Sequence, residues 1–378
     1  MNTIMKTKLL ILAIVGLALV SCSNDTITER SQNDVISFRP LLNNTTRAAN
    51  AAGLKSAWEA GDKLYVYADY KNGKFFQDEF VKDGTGFNSS NKYYWPKDLS
   101  TNNVTFTAFW GAAQKTWETA GDENKLNAAY EVDASVANQM DLLFAKKTVD
   151  TKPTGGVVMN FRHLLSQVIV KVANDQAGLN IIISGVKIGY VSKSGTFSYT
   201  GTSTDTQETG SKNATLIART DWGLTAAAAA NVYEQNATAT LDGSVPSESL
   251  TGFTSWILMP QLLSPATDYT ERATSGAVTT ATPPTLNGAY IALKMEVKTK
   301  GTSVVVVPEQ WCYWPINTEW KPGYKYTYTV NVGSGGYQPT DQNNTAGLDP
   351  VIDDLVIWFS PSCTIDTWVD EAVPVTVP

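Results

Sequence analysis

The amino-acid sequence predicts an all-β protein, and three observations support this. Short runs rich in Val, Ile, Thr and aromatic residues recur along the chain, among them Lys63–Ala68 and Tyr324–Val330. Clusters of Gly, Asn, Asp and Pro separate these runs, as at Thr154–Gly156 and Pro283–Pro284. Segments with helical character are scarce. Many short strands divided by turn residues are typical of β-sandwiches.

The predicted strands follow one another along the whole chain. Asn103–Trp110 alternates polar and apolar residues over its first half, which is the period of a strand with one buried face. The other predicted strands, in order, are Val35–Phe38, Lys63–Ala68, Val168–Val172, Ile181–Ile183, Val186–Ile188, Trp256–Met259, Ile291–Val297, Ser303–Val307, Tyr324–Val330 and Asp354–Phe359.

Two segments between the strands have a different character. The alanine run Ala226–Ala230 predicts a helical turn or a short helix in a loop, because Ala has the highest helix propensity. Gly201–Gly210 is rich in Thr, Ser and Gly and predicts a mobile surface loop.

The composition excludes several classes of function. The formal net charge is −7, which argues against a nucleic-acid partner. The chain has one histidine, His163, so a histidine-rich metal site and a histidine-based catalytic triad are both disfavoured. We expect His163 to be a structural residue at the start of a strand, bonded to backbone. We predict no catalytic residue, no metal and no cofactor.

The first 22 residues indicate export. Lys6 and Lys8 form a short basic start, and Leu9–Val20 is apolar apart from one glycine. This run is too short for a membrane-spanning helix and is typical of a secretory signal. Its end, Leu19–Cys22, resembles a bacterial lipobox, in which the cysteine is acylated and becomes the first residue. The sequence therefore predicts a signal peptide over residues 1–21 and a lipid anchor on Cys22.

Two further cysteines remain, Cys312 and Cys363. An oxidising cell envelope permits them to form a disulfide. Sequence alone does not show whether their backbones approach closely enough. A Cys312–Cys363 disulfide and two separate buried thiols both fit the sequence.

Several local signatures, in this order, resemble the fimbrillin family, the subunits of type V pili on Gram-negative anaerobes. They are Cys22, Val35–Phe38, Thr46–Ala48, Trp58–Tyr67, Tyr93–Pro96, Asp141–Ala145, Phe161–Val168 and Pro322–Tyr328. The resemblance implies two transthyretin-like β-sandwich domains in tandem. The gap between Phe144 and Val157 interrupts two strand-rich halves, so we place the domain boundary there. The chain then divides into a signal peptide (1–21), a pro-segment with a removable first strand (22–47), an N-terminal domain (48–155) and a C-terminal domain (156–378).

The resemblance also implies an assembly path. The lipoprotein reaches the outer membrane through Cys22, and a trypsin-like or arginine-specific protease then cuts after an arginine. The first strand, with Val35, Ile36 and Phe38, is released and leaves a groove. A C-terminal strand of another pilus subunit fills the groove, so the product is a cell-surface fimbria that adheres to a host or bacterial receptor or glycan.

Arg47 is the best candidate for the cleaved arginine, with Ala48 as the new first residue. It lies in a stretch of small and polar residues suited to a protease-accessible loop. Arg39 precedes a proline, which generally blocks trypsin-like cleavage. Arg30 precedes the first strand, so cleavage there would leave the groove filled.

The donor strand is expected near the C-terminus. Val373, Val375 and Val377 share one face at a spacing of two residues. Pro374 and Pro378 lack an N–H group, and proline is confined to sheet edges and bulges, so this tail would pair imperfectly on one side. The segment 363–369 is a second candidate.

Two other functions are compatible with parts of the sequence. Asp353, Asp354, Asp366 and Glu371 could supply the carboxylate pair of a glycosidase, but solvated acids in turns explain them better. The aromatic cluster Trp311–Pro315, with Trp320, would suit an outer-membrane surface lipoprotein that binds glycans without polymerising. The sequence favours a non-enzymatic structural or adhesive pilus subunit over both.

Overall fold

A computed structural model describes residues 34–42, 55, 57–84, 86–111, 129–204, 217–243, 248–264 and 287–332. For 337–339, 348–350 and 362–367 it describes the backbone alone. These residues form strands, turns and loops, with 3₁₀ turns at Val136–Asn138 and Arg219–Asp221, and no α-helix occurs among them. The all-β prediction is confirmed.

The strands of the described residues are numbered in chain order. They are β1 (Phe38–Leu42), β2 (Lys63–Tyr70), β3 (Gly73–Asp83), β4 (Gly86–Asn88), β5 (Val104–Gly111), β6 (Tyr130–Glu131), β7 (Leu142–Val149), β8 (Val157–His163), β9 (Ser166–Ala173), β10 (Leu179–Gly189), β11 (Ser194–Phe197), β12 (Trp222–Leu224), β13 (Val232–Gln235), β14 (Ala239–Leu241), β15 (Glu248–Ser249), β16 (Trp256–Leu258), β17 (Tyr290–Thr299), β18 (Val305–Pro315), β19 (Tyr324–Asn331), β20 (Tyr337–Pro339), β21 (Leu348–Pro350) and β22 (Ser362–Thr367).

The N-terminal half of the chain forms one sheet that closes on itself. Its strand order is β1-β4-β3-β2-β5-β7-β8, with β8 adjacent to β1. Phe80, Phe106 and Met159 are among the buried side chains that fill its interior. Because β8 belongs to this sheet, the sheet extends past residue 155, where the sequence places the domain boundary.

The C-terminal half is built mainly from two sheets. One has the order β13-β10-β17-β18-β20-β21, with β14 also paired to β10. The other has the order β15-β9-β19-β22, with β16 also paired to β9. Alternate residues of β19, including Tyr326 and Tyr328, are buried in a core shared with Ile181 and Trp314 of the first sheet. This arrangement is consistent with the predicted β-sandwich.

The two halves pack against each other through aromatic side chains. Phe109 and Phe144, on strands of the closed sheet, belong to the C-terminal core, where their ring centroids lie 6.3 and 5.2 Å from that of Phe197. A three-stranded sheet, β12-β11-β6, joins the halves because β6 precedes β7 in the chain. The halves therefore share a continuous hydrophobic contact.

Three sequence-based expectations differ from the structure. Ala226–Ala230 is not helical, since it is irregular and ends in a turn; five residues are too few to offset the cost of helix nucleation. Thr204, expected in a mobile surface loop, is buried. The third is His163, which ends β8 instead of starting a strand, and its Nδ1 lies 2.7 Å from Oδ2 of the buried Asp141.

Candidate functional site

The first strand is an internal member of the closed sheet. It runs parallel to β8 over five residue pairs, from Phe38–Val157 to Leu42–Phe161. On its other side it runs antiparallel to β4, where Phe38 is paired with Phe87. Removing β1 would therefore open the sheet and expose the backbone of both neighbours.

The residues just before β1 are also held from both sides. The N–H of Ile36 donates to the carbonyl of Tyr93 at 2.7 Å, and the N–H of Trp95 donates to the carbonyl of Asp34 at 3.1 Å. On the opposite side, the N–H of Val157 donates to the carbonyl of Ser37 at 2.8 Å. The chain is thus held from both sides before β1 as well, over residues 34–37.

Side chains of this segment alternate between the core and the surface. Ile36, Phe38 and Pro40 are buried, whereas Arg39 and Leu41 are exposed. The ring of Phe38 meets Phe80 edge to face at 4.7 Å and Phe106 at 5.1 Å between centroids. The segment therefore fills a channel lined by aromatic side chains, as its two-residue period predicts.

One loop holds the start of the segment in place, and Asp78 on β3 anchors that loop. The carboxylate of Asp78 accepts hydrogen bonds from the hydroxyl of Ser89, from Asn91 Nδ2 at 3.0 Å and from the hydroxyl of Tyr93 at 2.9 Å. Burial acts to raise the pKa of Asp78, but these bonds and the N–H of Glu79 outweigh it and hold the pKa below its usual value. The ionised form of Asp78 therefore favours this loop geometry.

Gly156 lies directly against the segment that precedes β1. Its φ is +94°, and a Cβ built there would lie 3.0 Å from Ser37 Oγ and 3.1 Å from the Ser37 carbonyl oxygen. A side chain at this position would meet both backbone strain and the segment itself. The glycine thus permits close approach of the segment to the start of β8.

Trp58 bridges the two strands that flank β1. Its ring meets Phe87 of β4 at 5.3 Å and Phe161 of β8 at 5.2 Å, both edge to face. Residues 43–54, which join β1 to this region, lie outside the described residues. Trp58 therefore packs where the chain re-enters the closed sheet after that segment.

Lys55 connects this re-entry point to a buried network. Its Nζ lies 2.7 Å from Asp62 Oδ2, and its N–H donates to Asp141 Oδ2 at 3.2 Å. The same Asp141 oxygen lies 2.7 Å from His163 Nδ1 at the end of β8. The chain after residue 54 is thus tied to the strand that pairs with β1.

Several predicted site residues fall outside the described part of the chain. These are Cys22, Arg47, Ala48, Val373, Val375 and Val377, and also Asp353, Asp354 and Glu371. Val35, Ile36 and Phe38 are described: Val35 forms an isolated antiparallel bridge with Tyr94, and β1 begins at Phe38.

The two cysteines of the C-terminal half lie in different sheets. Cys312, on β18, is buried, and burial raises the pKa of its thiol to about 12. Cys363, on β22, is paired through its backbone with Tyr328. The side chain of Cys363 is outside the described residues, so the disulfide stays a prediction.

The aromatic cluster of β18 is divided between two faces. Cys312 and Trp314 point into the main core, and Trp320 is buried there. Trp311 and Tyr313 pack on the other face, where Lys187 Nζ lies 4.1 Å and 5.1 Å from their ring centroids. Burial lowers the pKa of Lys187, and Glu234 opposes the shift. These two rings therefore already contact a cation of the chain itself.

Two properties of the described residues bear on other functions. Within the described part of the chain, no group of three or more His, Cys, Asp or Glu side chains could hold a metal ion. No helix among those residues has the length and hydrophobicity that spanning a bilayer requires.

Sequence reasoning missed the residues that hold the first strand in place. Asp78 stands in a strand-like run, and its signal was a carboxylate at a two-residue spacing from Phe76 and Phe80, which face a core. Gly156 was assigned to a turn, although the second of two adjacent glycines is where a neighbouring backbone can come close. Neither residue carries a motif, because their roles depend on which strands the fold brings together.

Comparisons with known proteins agree with the sequence-based resemblance. A family model described as fimbrillin-like matches residues 46–354. Solved structures that are similar include a putative cell adhesion protein from Bacteroides ovatus, with 16% identity, a TM-score of 0.44 and coverage of 89% of this chain and 98% of that one. A second, from Parabacteroides distasonis, has 9% identity, a TM-score of 0.46 and the same coverage. A fimbrial protein from Bacteroides ovatus has 11% identity, a TM-score of 0.32 and coverage of 81% and 50%. Comparison with curated proteins finds no match.

Proposed function

Because this chain belongs to the fimbrillin-like family, we propose that it is a structural or adhesive subunit of a type V-like fimbria that polymerises by protease-triggered donor-strand exchange. Fimbrillin-like proteins are structural and non-enzymatic, and their place is the cell-surface fimbria, where they contact other pilus subunits. The proposal adds the mechanism, the maturation site and the route to the surface.

The observation that carries the proposal is the position of β1 inside a closed sheet. The strand has a neighbour on each side, and Ile36 and Phe38 reach the core. Its departure would leave two rows of unpaired N–H and C=O groups above an apolar channel. An added strand from another chain satisfies such groups and places alternate side chains in the channel, as in β-strand addition generally.

The order of the chain suits release of this strand by one cut. The strand ends at Leu42, Arg47 follows five residues later, and the described chain resumes at Lys55. Cleavage after Arg47 would separate the pro-segment 22–47, with β1, from every other strand of the closed sheet. Lys55 would remain tied to Asp62 and Asp141, which would hold the new N-terminal region in place.

Strand exchange of this kind gives fibres. The groove lies in the N-terminal half, and the proposed donor, with Val373, Val375 and Val377, lies at the C-terminus of another subunit. Such head-to-tail contacts do not close on themselves, so they propagate. In this scheme acylated Cys22 carries the precursor to the outer membrane, and the cut at Arg47 releases the subunit from that anchor.

Substitution of the scissile arginine tests the trigger. After treatment with an arginine-specific protease, the unsubstituted chain should start at Ala48 by mass spectrometry and form fibres visible by electron microscopy. Arg47→Ala should retain its pro-segment and stay monomeric. Arg39→Ala is the matched control, because Arg39 is exposed on β1 and precedes Pro40; this variant should be cut and should polymerise normally. Fibres from Arg47→Ala would contradict the proposal.

Deletion of the tail tests the donor. A processed chain that lacks 373–378 should still accept a strand from an intact subunit but should not donate one. Mixed with intact subunits, it should therefore terminate fibres and shorten them in proportion to its fraction. Unchanged fibre length at an equimolar ratio would show that the donor strand lies elsewhere, with 363–369 as the next candidate.

A further inference from the structure

Thr204, from the C-terminal half, lies between two strands of the N-terminal closed sheet. Its hydroxyl donates to the carbonyl of Asn160 on β8 at 2.7 Å and accepts the N–H of Lys146 on β7 at 2.9 Å. Its own N–H donates to the carbonyl of Lys146 at 3.0 Å. The residue is fully buried. One side chain thus connects the facing backbones of β7 and β8.

Thr204 occupies the place where the direct pairing of these strands would continue. The antiparallel register of β7 and β8 includes Leu143 with His163 and Phe144 with Arg162, and it stops there. Continued in the same register, it would place Lys146 opposite Asn160, the two residues whose backbones bond to Thr204. Neighbouring strands in a sheet lie about 4.8 Å apart, so Thr204 separates two strands that would otherwise meet.

Other contacts fix Thr204, which we call the wedge between β7 and β8, to both halves of the molecule. Arg162 donates from Nε and Nη2 to the carbonyl of Thr204, each at 3.2 Å. Tyr199 donates through its hydroxyl to the carbonyl of Ser203 at 2.7 Å, and its ring lies 5.0 Å from that of Phe144. The position of Thr204 is therefore set by contacts from both halves.

The strand that the wedge holds is also the one that pairs with β1. We propose that Thr204 is a positioning residue that keeps β8 in the β1-paired position, so that after β1 leaves the groove remains one strand wide for the incoming strand. This inference rests on the proposed strand exchange. Without the wedge, β8 would pair further along β7 and move away from β4. The gap between β4 and β8 spans two strand spacings, about 10 Å, so a wider one could not be bridged by one strand.

Hydrogen exchange on the full, uncut chain tests the wedge without any strand exchange. Thr204→Val keeps the shape of the side chain but removes the hydroxyl. We expect the Lys146 amide to exchange roughly tenfold faster, as loss of such a bond predicts. Thr148→Val, on the same strand as Lys146, is the control, because its hydroxyl lies 3.0 Å from that of Thr105 on β5, on the side away from β8. It should leave the Lys146 amide unchanged. Equal exchange in both variants would overturn the role of Thr204.

Binding of a synthetic peptide of residues 34–42 to the processed chain, stripped of β1, tests the consequence. Thr204→Val should weaken binding roughly tenfold, mainly through slower association, because fewer molecules hold a groove of the right width. Thr204→Ser, which keeps the hydroxyl, should restore binding, and Thr148→Val should bind normally. Equal binding by Thr204→Val and the unsubstituted chain would overturn the inference alone. No binding by the unsubstituted processed chain would overturn strand exchange itself, and with it the inference.

Discussion

Replacing Phe38 by alanine tests whether β1 is a structural part of the closed sheet before processing. Phe38 is 1% exposed, and its ring meets Phe80 and Phe106 edge to face. The substitution removes the largest side chain of β1 but keeps every backbone bond to β4 and β8. It therefore isolates the contribution of the aromatic channel.

The expected cost follows from burial and cavity formation. Truncation of a buried Phe to Ala destabilises a protein by about 3–5 kcal/mol. The two edge-to-face contacts place Phe38→Ala toward the upper end, since each such pair adds about 0.5–1.5 kcal/mol beyond its buried area. Leu41→Ala on the same strand is the matched control: Leu41 is 43% exposed, so its loss should change stability by only about 0.5 kcal/mol.

Equilibrium unfolding in urea, followed by tryptophan fluorescence, measures the difference on uncut chains. With an m value of about 2 kcal/mol/M, a loss of about 4 kcal/mol lowers the midpoint by about 2 M. Phe38→Ala should also release its pro-segment faster after cleavage. A midpoint for Phe38→Ala equal to that of Leu41→Ala would refute the reasoning, because the channel would then contribute nothing to holding β1.

Three further predictions concern the surroundings of β1 and the C-terminal core. Gly156→Ala should destabilise the uncut chain by about 1–3 kcal/mol more than Gly155→Ala in the same urea assay. Both glycines have a positive φ, but only Gly156 is crowded by Ser37. Equal losses of stability in the two variants would show that the contact with Ser37 does not matter. The pKa of Asp78 is lowered in the folded chain. The stabilisation that ionised Asp78 gives is therefore fully present above its pKa in the unfolded chain, about 3.9, and is lost as the pH falls through its lower pKa in the folded chain. Urea midpoints should therefore fall more steeply below pH 4 for the unsubstituted chain than for Asp78→Asn, and parallel curves would count against the loop anchor. Cys312, with its pKa raised to about 12, should resist a maleimide reagent at pH 8 in the folded chain and react in denaturant; rapid labelling of the folded chain would contradict its burial.

The sequence predicts the strands better than their arrangement. The alternation of Ile36 and Phe38 is enough to predict a strand with one buried face, because the pleat alone fixes which side chains share a face. Its neighbours could not be predicted, since pairing with β4 and β8 depends on residues more than 40 positions away. The strand predicted at Ser303–Val307 is longer in the structure, where β18 runs from Val305 to Pro315. The prediction stopped short because Trp311 and Cys312 lie on opposite faces, so the sequence there does not alternate as a strand with one buried face does.

The candidate site was only partly predicted, because it too depends on which distant strands the fold brings together. Val35, Ile36 and Phe38 were found from local pattern and resemblance, whereas Thr204 was assigned to a surface loop. Thr, Ser and Gly do favour loops, but burial of a hydroxyl is decided by the backbone groups that surround it. At Thr204 those groups come from Lys146 and Asn160, on strands that the local sequence does not reveal.

The parallel alignment of β1 with β8 also bears on how a fibre would respond to force. A strand seated along β8 and pulled lengthwise places its five successive backbone pairs under load together, in shear. Pulled from one end, perpendicular to its own axis, the same strand would lose its hydrogen bonds one after another. A joint in which filament tension acts along β8 would therefore resist stretching far better than lateral peeling.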